Sequence, residues 1–214
     1  MDSLIEKAKI IAEKQHASQH RKFDDTPMIT HPNRVAGIVH RYWQDADPPV
    51  AEVVAAALLH DVIEDTRGYT FLNMEKDFGK NVTDMVEILT DPNEDTPDFW
   101  LPNKTHYLHV LRRAPQTYGN VGRAAIVIAC ADKLDNLDYY IQVYRKCQDQ
   151  ACRERFIKNP KKLFFYGEMT RIARERLGAK EIVRVLEARL AEARKVLEFH
   201  EEMVPKPFLV LKDI

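Results

Sequence analysis

Cysteine is scarce in this chain. There are three in 214 residues, Cys130, Cys147 and Cys152, and no CxxC pair. So low and odd a count excludes a disulfide-stapled secreted scaffold, and free thiols in a reducing cytoplasm are expected. Cys130, within Ile126-Val127-Ile128-Ala129-Cys130-Ala131, reads as a buried small hydrophobe. Long hydrophobic runs are missing as well. None approaches the ~20 residues that span a bilayer, so no membrane partner is expected. The opening Met1-Asp2-Ser3-Leu4-Ile5-Glu6-Lys7 carries acid too early for a signal peptide. Charge of one sign is also absent: 32 Lys and Arg face 33 Asp and Glu, for a net charge of −1. Nonspecific nucleic-acid binding usually needs a basic excess, so no nucleic-acid partner is expected. A local basic pocket for a phosphorylated small molecule is compatible with the same balance. Internal repeats and low-complexity stretches are lacking. What remains is an ordinary globular composition, 45% hydrophobic, long enough for one medium domain with a sizeable core.

Helical periodicity dominates what is there. Leu4, Ala8, Ile11, Ala12 and Gln15 mark the inner face of a first helix. A polar stretch over 20–30 interrupts it. Pro32 suits the first turn of a second helix, with His31 at its N-terminus. Asp47-Pro48-Pro49 separates that helix from a third, which the pattern carries to about Asp65, with Gly68 as its stop. Short helices follow over 72–78 and 82–89, and a proline-broken loop over 91–103 reads either as a lid or binding loop or as a surface excursion. Further helices are predicted over 104–113, 122–144, 160–177 and 179–201, with a turn-rich connection at 114–122. Val183, Leu186, Leu190, Ala193 and Leu197 form a stripe that fits core packing or, alternatively, a homodimer seam. The tail Phe208-Leu209-Val210-Leu211 fits a short strand or a docked extended segment. No linker is visible. The expectation is one all-α domain over 1–214, a compact multi-helix bundle with its motif core in 1–145, C-terminal helices over 150–201 and a short tail over 205–214.

The chemistry concentrates in two segments, Ala57-Leu58-Leu59-His60-Asp61-Val62-Ile63-Glu64-Asp65-Thr66 and Ala131-Asp132-Lys133-Leu134-Asp135-Asn136. His60 and Glu64 are four apart, as are Asp61 and Asp65, and residues four apart stack on one helix face. Val53, Val54, Ala57, Leu58 and Leu59 make their surroundings apolar, where unpaired carboxylates are costly and a divalent cation would offset the cost. Asp132 continues the buried stripe Ala125, Ile128 and Ala129; alone it fits a helix end or an internal salt bridge, but beside His60-Asp61 it fits a second acidic ligand. His31 alone fits a capping or surface residue. With His60, Asp61 and Asp132 it completes two imidazoles and two carboxylates, a donor set that suits Mn²⁺, Fe²⁺ or Mg²⁺ better than structural zinc. His60 and Asp61 diverge by about 100° around a helix, yet both can reach an ion lying between them. Glu64 and Asp65 fit the handling of an attacking water or, less specifically, a solvated helix end. Arg21, Lys22 and Lys133 are candidates for phosphate, with Lys104, His106, Arg112 and Arg123 behind them; any of these also fits a solvated face.

These segments resemble an established family. His16, Gln19, Arg21-Lys22, Pro27-Met28-Ile29-Thr30-His31-Pro32 and Val35-Ala36 resemble the opening of RelA/SpoT-type HD-domain hydrolases. Residues 56–66, Phe78-Gly79 and Ala131-Asp132-Lys133-Leu134-Asp135-Asn136-Leu137 follow in the family's order. The resemblance covers about residues 1–145, and the short chain is most similar to stand-alone small alarmone hydrolases. It implies an all-α fold and hydrolysis of guanosine 3′,5′-bis-diphosphate at its 3′-diphosphate, giving pyrophosphate and a guanosine nucleotide, usually with Mn²⁺. It implies metal ligation by His31, His60, Asp61 and Asp132, water handling by Glu64 and Asp65, and nucleotide binding by Arg21, Lys22 and Asn136. Three positions depart from the family's usual pattern. Met28 stands where Tyr is common, Asp135 where His or Tyr is common, and Ile88-Leu89-Thr90-Asp91 lacks a lysine that many members have. These departures bear on the substrate rather than on the metal ligands. The reading is a cytoplasmic, metal-dependent phosphohydrolase of a phosphorylated purine nucleotide. Alternatives are a phosphatase for another nucleotide (a nucleoside monophosphate or a 2′-phosphorylated dinucleotide) or a non-catalytic HD module that binds a nucleotide or a protein.

Overall fold

A computed structural model describes residues 3–92, 96–157 and 160–214. Met1 and Asp2, and residues 93–95 of the predicted 91–103 loop, lie outside the described residues. Among the described residues the regular elements are helices: α1 Ser3–Gln15, α2 Thr30–Tyr42, α3 Val50–Leu59, α4 Val62–Asp65, α5 Phe71–Phe78, α6 Lys80–Leu89, α7 Trp100–Tyr118, α8 Asn120–Lys146, α9 Gln150–Ile157, α10 Pro160–Leu177 and α11 Glu181–Val196. No helix among them is long and apolar enough to cross a membrane.

Two helices are buried on all sides and organise the rest. In α3 every residue from Val53 to Leu59 is buried, and in α8 so is every residue from Ala124 to Asp132. A helix apolar all round must be surrounded: α8 packs against α2, α6, α7, α10 and α11, and α3 against α1, α2 and α6. Gly122 permits a close approach of α8 to α7. A Cβ there would lie 2.1 Å from the Ala114 carbonyl oxygen of α7. Gly79, at φ 81°, joins α5 to α6 in a conformation that suits glycine. At its other end α5 is closed by a Thr70–Asn73 capping box. The stripe on α11 is buried against α8 and α10, so within this chain it serves the core.

Four expectations need correction. The third helix does not run unbroken to Asp65. It ends at Leu59, and Asp61, at φ −96°, ψ −7°, is the N-cap from which the short α4 restarts, its carbonyl accepting the Asp65 amide at 2.9 Å. The helix expected at 104–113 begins at Trp100 and continues through Pro115 to Tyr118, so most of the 114–122 connection is helical. Pro115 sits in the last turn of α7, where its missing N–H removes one backbone bond close to the helix end. The tail is no strand but a 3₁₀ segment, Lys206–Asp213, with Leu211 buried, because an all-α fold presents no sheet edge for pairing. Cys147 and Cys152 are not free thiols. The chain turns from α8 into α9 so tightly that their Cα atoms are 5.5 Å apart, and the two form a disulfide. Cys130 is the free cysteine, and it is buried.

Candidate metal centre and active site

Three helix termini and one helix middle meet at the site. His31 lies in the first turn of α2, His60 and Asp61 in the break after α3, and Asp132 halfway along α8. All are brought together. His31 Nε2 is 3.2 Å from Asp132 Oδ1 and 3.5 Å from Asp61 Oδ2; His60 Nε2 is 3.1 Å from Asp61 Oδ1 and 4.0 Å from Asp132 Oδ1. Ligand atoms of His31, His60 and Asp132 lie within 4.8 Å of one another. Both imidazoles are held from behind. His60 Nδ1 donates to the Ala57 carbonyl at 2.8 Å and His31 Nδ1 to Asp135 Oδ2 at 2.7 Å, so each presents Nε2 to the cluster. His60 Nε2 is buried and lacks a hydrogen-bond partner although a carboxylate oxygen is only 3.1 Å away. Two acceptors at that distance repel unless a cation lies between them. The residues present therefore fit a divalent ion with mixed nitrogen and oxygen ligation.

The electrostatics agree. Burial disfavours a charged His31, but hydrogen bonds to Asp132 and Asp135 and the nearby Asp61 charge overrule it and push its pKa up to about 9. The same acids would favour a cation in the proton's place, so metal binding must displace that proton. Burial would raise Asp132, but Lys133 and His31 hold it well below the usual carboxylate range. Burial likewise opposes the charge on Lys133, and Asp132 overrides it.

A cavity of about 200 Å³ opens from this cluster, lined among others by Arg21, Met28, Trp100, Lys104, Lys162 and Phe165. Arg21 enters from the loop after α1, which is pinned by backbone bonds from Arg21 to Thr26 and from Met28 to Gln19, both 2.8 Å. Its guanidinium lies 4.3 Å from the Tyr139 ring centre and donates to Asn136 Oδ1 at 3.0 Å, while Asn136 Nδ2 donates to Asp132 Oδ1. Lys133 pairs with Asp132, and Lys104 with Asp91. Glu64 is an exposed residue overall, yet its carboxylate turns back into the cavity and accepts from the Asp91 amide at 3.1 Å. Desolvation there, with the Asp91 and Asp61 charges, raises its pKa above the usual carboxylate range.

Two predicted residues stand apart. Lys22 is exposed and lines a separate small cavity with Phe23, Tyr140, Arg155 and Lys162. It follows Arg21 where the loop turns, and the two side chains reach different cavities. Asp65 is exposed, does not line the cavity, and contributes its backbone carbonyl to Gln19 Nε2 at 2.8 Å. Of the weaker candidates Lys104 lines the cavity, whereas Arg112 pairs with Glu175, Arg123 donates to the Arg176 carbonyl, and His106 is exposed. The sequence gives no role to Asp91, Lys162 or the aromatic wall of Tyr107, Phe165 and Tyr166, because the segments that carry them show no motif. Asp135 was legible only as an oddity. Its place three residues after Asp132 on α8 was the available signal, and the structure shows it turned away from the cavity, between His31 and Arg34.

An all-α bundle whose buried helices converge imidazoles and carboxylates beside a cationic cavity defines the class of metal-dependent hydrolases built on helix termini. Within that class the chain belongs to the HD domain family, which residues 8–157 match. It is 35% identical over 134 residues to a Danio rerio protein described as guanosine-3′,5′-bis(diphosphate) 3′-pyrophosphohydrolase MESH1, covering 63% of this chain and 67% of that one. It is 42% identical over 83 residues to the bifunctional (p)ppGpp synthase/hydrolase SpoT of Escherichia coli, covering 39% of this chain and 11% of that one. A solved structure of a metazoan ortholog of SpoT, described as hydrolysing ppGpp, superimposes with a TM-score of 0.63 at 25% identity, covering 91% of this chain and 96% of that one.

Proposed function

We propose that the chain hydrolyses guanosine 3′,5′-bis-diphosphate, removing pyrophosphate from the 3′ position in a reaction that needs a divalent metal, with Mn²⁺ as first choice. The observation that carries this reading is the convergence of His31, Asp61 and Asp132 at one wall of a cavity that also holds Arg21, Lys104, Lys133 and Lys162, with His60 reaching the same cluster from an adjoining smaller chamber. The relatives' described activities support it. The bound ion would supply Lewis acidity toward a phosphoryl oxygen and the attacking water. Glu64, whose raised proton affinity suits a general base near neutral pH, takes the water's proton. Asp65 would act from outside the cavity, through the position of Glu64. Arg21, Lys133 and Lys104 stabilise the charge that builds on phosphate, and Asn136 holds Arg21 in line with Asp132. Lys22, at the neighbouring cavity that shares Lys162, would meet a second phosphate arm. A cytoplasmic site of action would fit a nucleotide substrate.

Metal analysis of the purified protein, followed by pyrophosphate release with Mn²⁺ added back, tests the reading. His60→Ala and Asp132→Ala should each lose both the ion and turnover; full retention of both would refute it. A second reading keeps the metal and changes the base, because Met28 lines the cavity where an aromatic ring is common. A phosphate-release screen that includes nucleoside monophosphates and a 2′-phosphorylated dinucleotide separates the two.

A further inference from the structure

We propose that Asp91 is the positioning residue for the attacking water, working with Glu64 across a small chamber behind the metal-ligating cluster. This rests on the phosphohydrolase reading above. Asp91 follows the C-cap of α6 and is buried to 7% exposure. It meets Glu64 through its backbone, whose N–H donates to Glu64 Oε2 at 3.1 Å. That bond fixes one carboxylate oxygen of Glu64 and leaves the other to turn toward the chamber. The Asp91 side chain is held by Lys104 through Oδ2. Its second oxygen, Oδ1, is buried without a hydrogen-bond partner. Asp91 shares with His60, Asp61, Glu64, Asp132 and Lys133 the lining of a chamber of about 70 Å³. One water needs about 10–15 Å³ of such space and two to four polar partners, so the chamber accepts ordered water and supplies the partners.

A buried carboxylate oxygen with no donor calls for one, and a water hydrogen satisfies it. Two hydrogens then have two acceptors. Asp91 Oδ1 orients one, and Glu64 receives the other as the water oxygen bonds to the 3′-linked phosphorus. The bond from phosphorus to the 3′ oxygen breaks, and that oxygen leaves with the electron pair and takes a proton from solvent. A second cation is the competing occupant, and charge argues against it. Asp61, Glu64, Asp91 and Asp132 carry four negative charges at the chamber, while Lys104, Lys133 and one divalent ion already offset them.

Two measurements test this. A crystal structure of the wild-type protein with Mn²⁺ should show an ordered water about 3 Å from both Asp91 Oδ1 and the Glu64 carboxylate. Its absence, or a second metal there, overturns the assignment. Steady-state kinetics of Asp91→Asn and Asp91→Ala, on the nucleotide that wild type turns over, should show kcat reduced about 10–100-fold with KM within about 3-fold in both, because the single amide oxygen of the asparagine goes to Lys104 and its NH₂ cannot accept from the water. Mn²⁺ stoichiometry and affinity should stay at wild-type values in the Asn variant. Unchanged kcat, or loss of kcat together with metal, overturns the proposal. Wild-type protein that turns over no nucleotide would refute the phosphohydrolase reading, and the crystallographic water would still decide Asp91.

Discussion

Replacing Asp135 by asparagine should loosen the metal site without touching any residue that faces the ion. The Asp135 carboxylate accepts from two residues, His31 through Nδ1 at 2.7 Å and Arg34 through Nε at 2.5 Å and Nη2 at 3.4 Å. Its burial would favour the protonated acid, but these partners hold its pKa below the usual value. The first bond fixes which His31 nitrogen carries hydrogen and aims Nε2 at Asp132 and Asp61. An asparagine has one acceptor oxygen for these two residues, so its NH₂ must face either Arg34 or His31. The imidazole then loses its anionic partner and becomes a weaker donor to the ion. Partners of this kind are worth about 10–100-fold in metal affinity, or about 1.4–2.7 kcal/mol. Where the NH₂ faces His31, its buried Nδ1–H is left unpaired and folding stability should fall by about 1–3 kcal/mol more; where it faces the half-exposed Arg34, water takes the acceptor's place. Mn²⁺ titration of the chelator-stripped protein by calorimetry reads the first effect, and thermal melts with and without metal separate it from the second. Arg34→Ala is the control. Its side chain is 48% exposed and reaches the same carboxylate without touching His31, so it should weaken metal binding less than Asp135→Asn does. An Asp135→Asn protein that binds Mn²⁺ within twofold of wild type would refute the view that this carboxylate governs His31.

Three further outcomes follow from the same geometry. In the metal-stripped protein, the folded-state pKa of His31 is raised to about 9 from an unfolded value of 6.5, so the proton's contribution to stability is complete below pH 6.5 and lost as pH rises through about 9; thermal melts across that window should fall for the stripped protein and flatten in His31→Gln. Arg21→Ala should raise KM by at least about tenfold, since a buried guanidinium is removed from the cavity, while Lys22→Ala should change KM by no more than about threefold; equal effects in nucleotide-turnover assays would count against the two-cavity arrangement. Gly122→Ala should destabilise by at least about 1–3 kcal/mol in urea or thermal unfolding, because the new Cβ meets the Ala114 carbonyl oxygen at 2.1 Å and the α7–α8 packing must open.

By itself the amino-acid order determined the all-α class, the placement of most helices, and the residue types that would gather at a metal. Apolar residues at helical spacing specify an inner face whatever that face meets, and an acid such as Asp132 set into such a face advertises an unusual partner. Val53 to Leu59 and Ala124 to Asp132 are apolar enough to make burial on all sides the only stable outcome. Long-range placement was decided by tertiary structure alone. Arg21 and Lys22 are adjacent in the chain, yet one is buried over Tyr139 and the other looks into a separate cavity, since only the packing of the loop against α8 settles which side chain turns inward. Asp135 reads as a misplaced charge until α2 is packed beside α8, where it becomes the anchor of His31. Asp91 and Lys104 read as ordinary surface charges in the chain, because their pairing joins the end of α6 to α7 beside Glu64 only after packing. The Cys147–Cys152 disulfide likewise depends on how tightly α8 turns into α9. Local pattern dictates what a residue can do, and the distances at which charges and lone pairs meet exist only once the helices have packed.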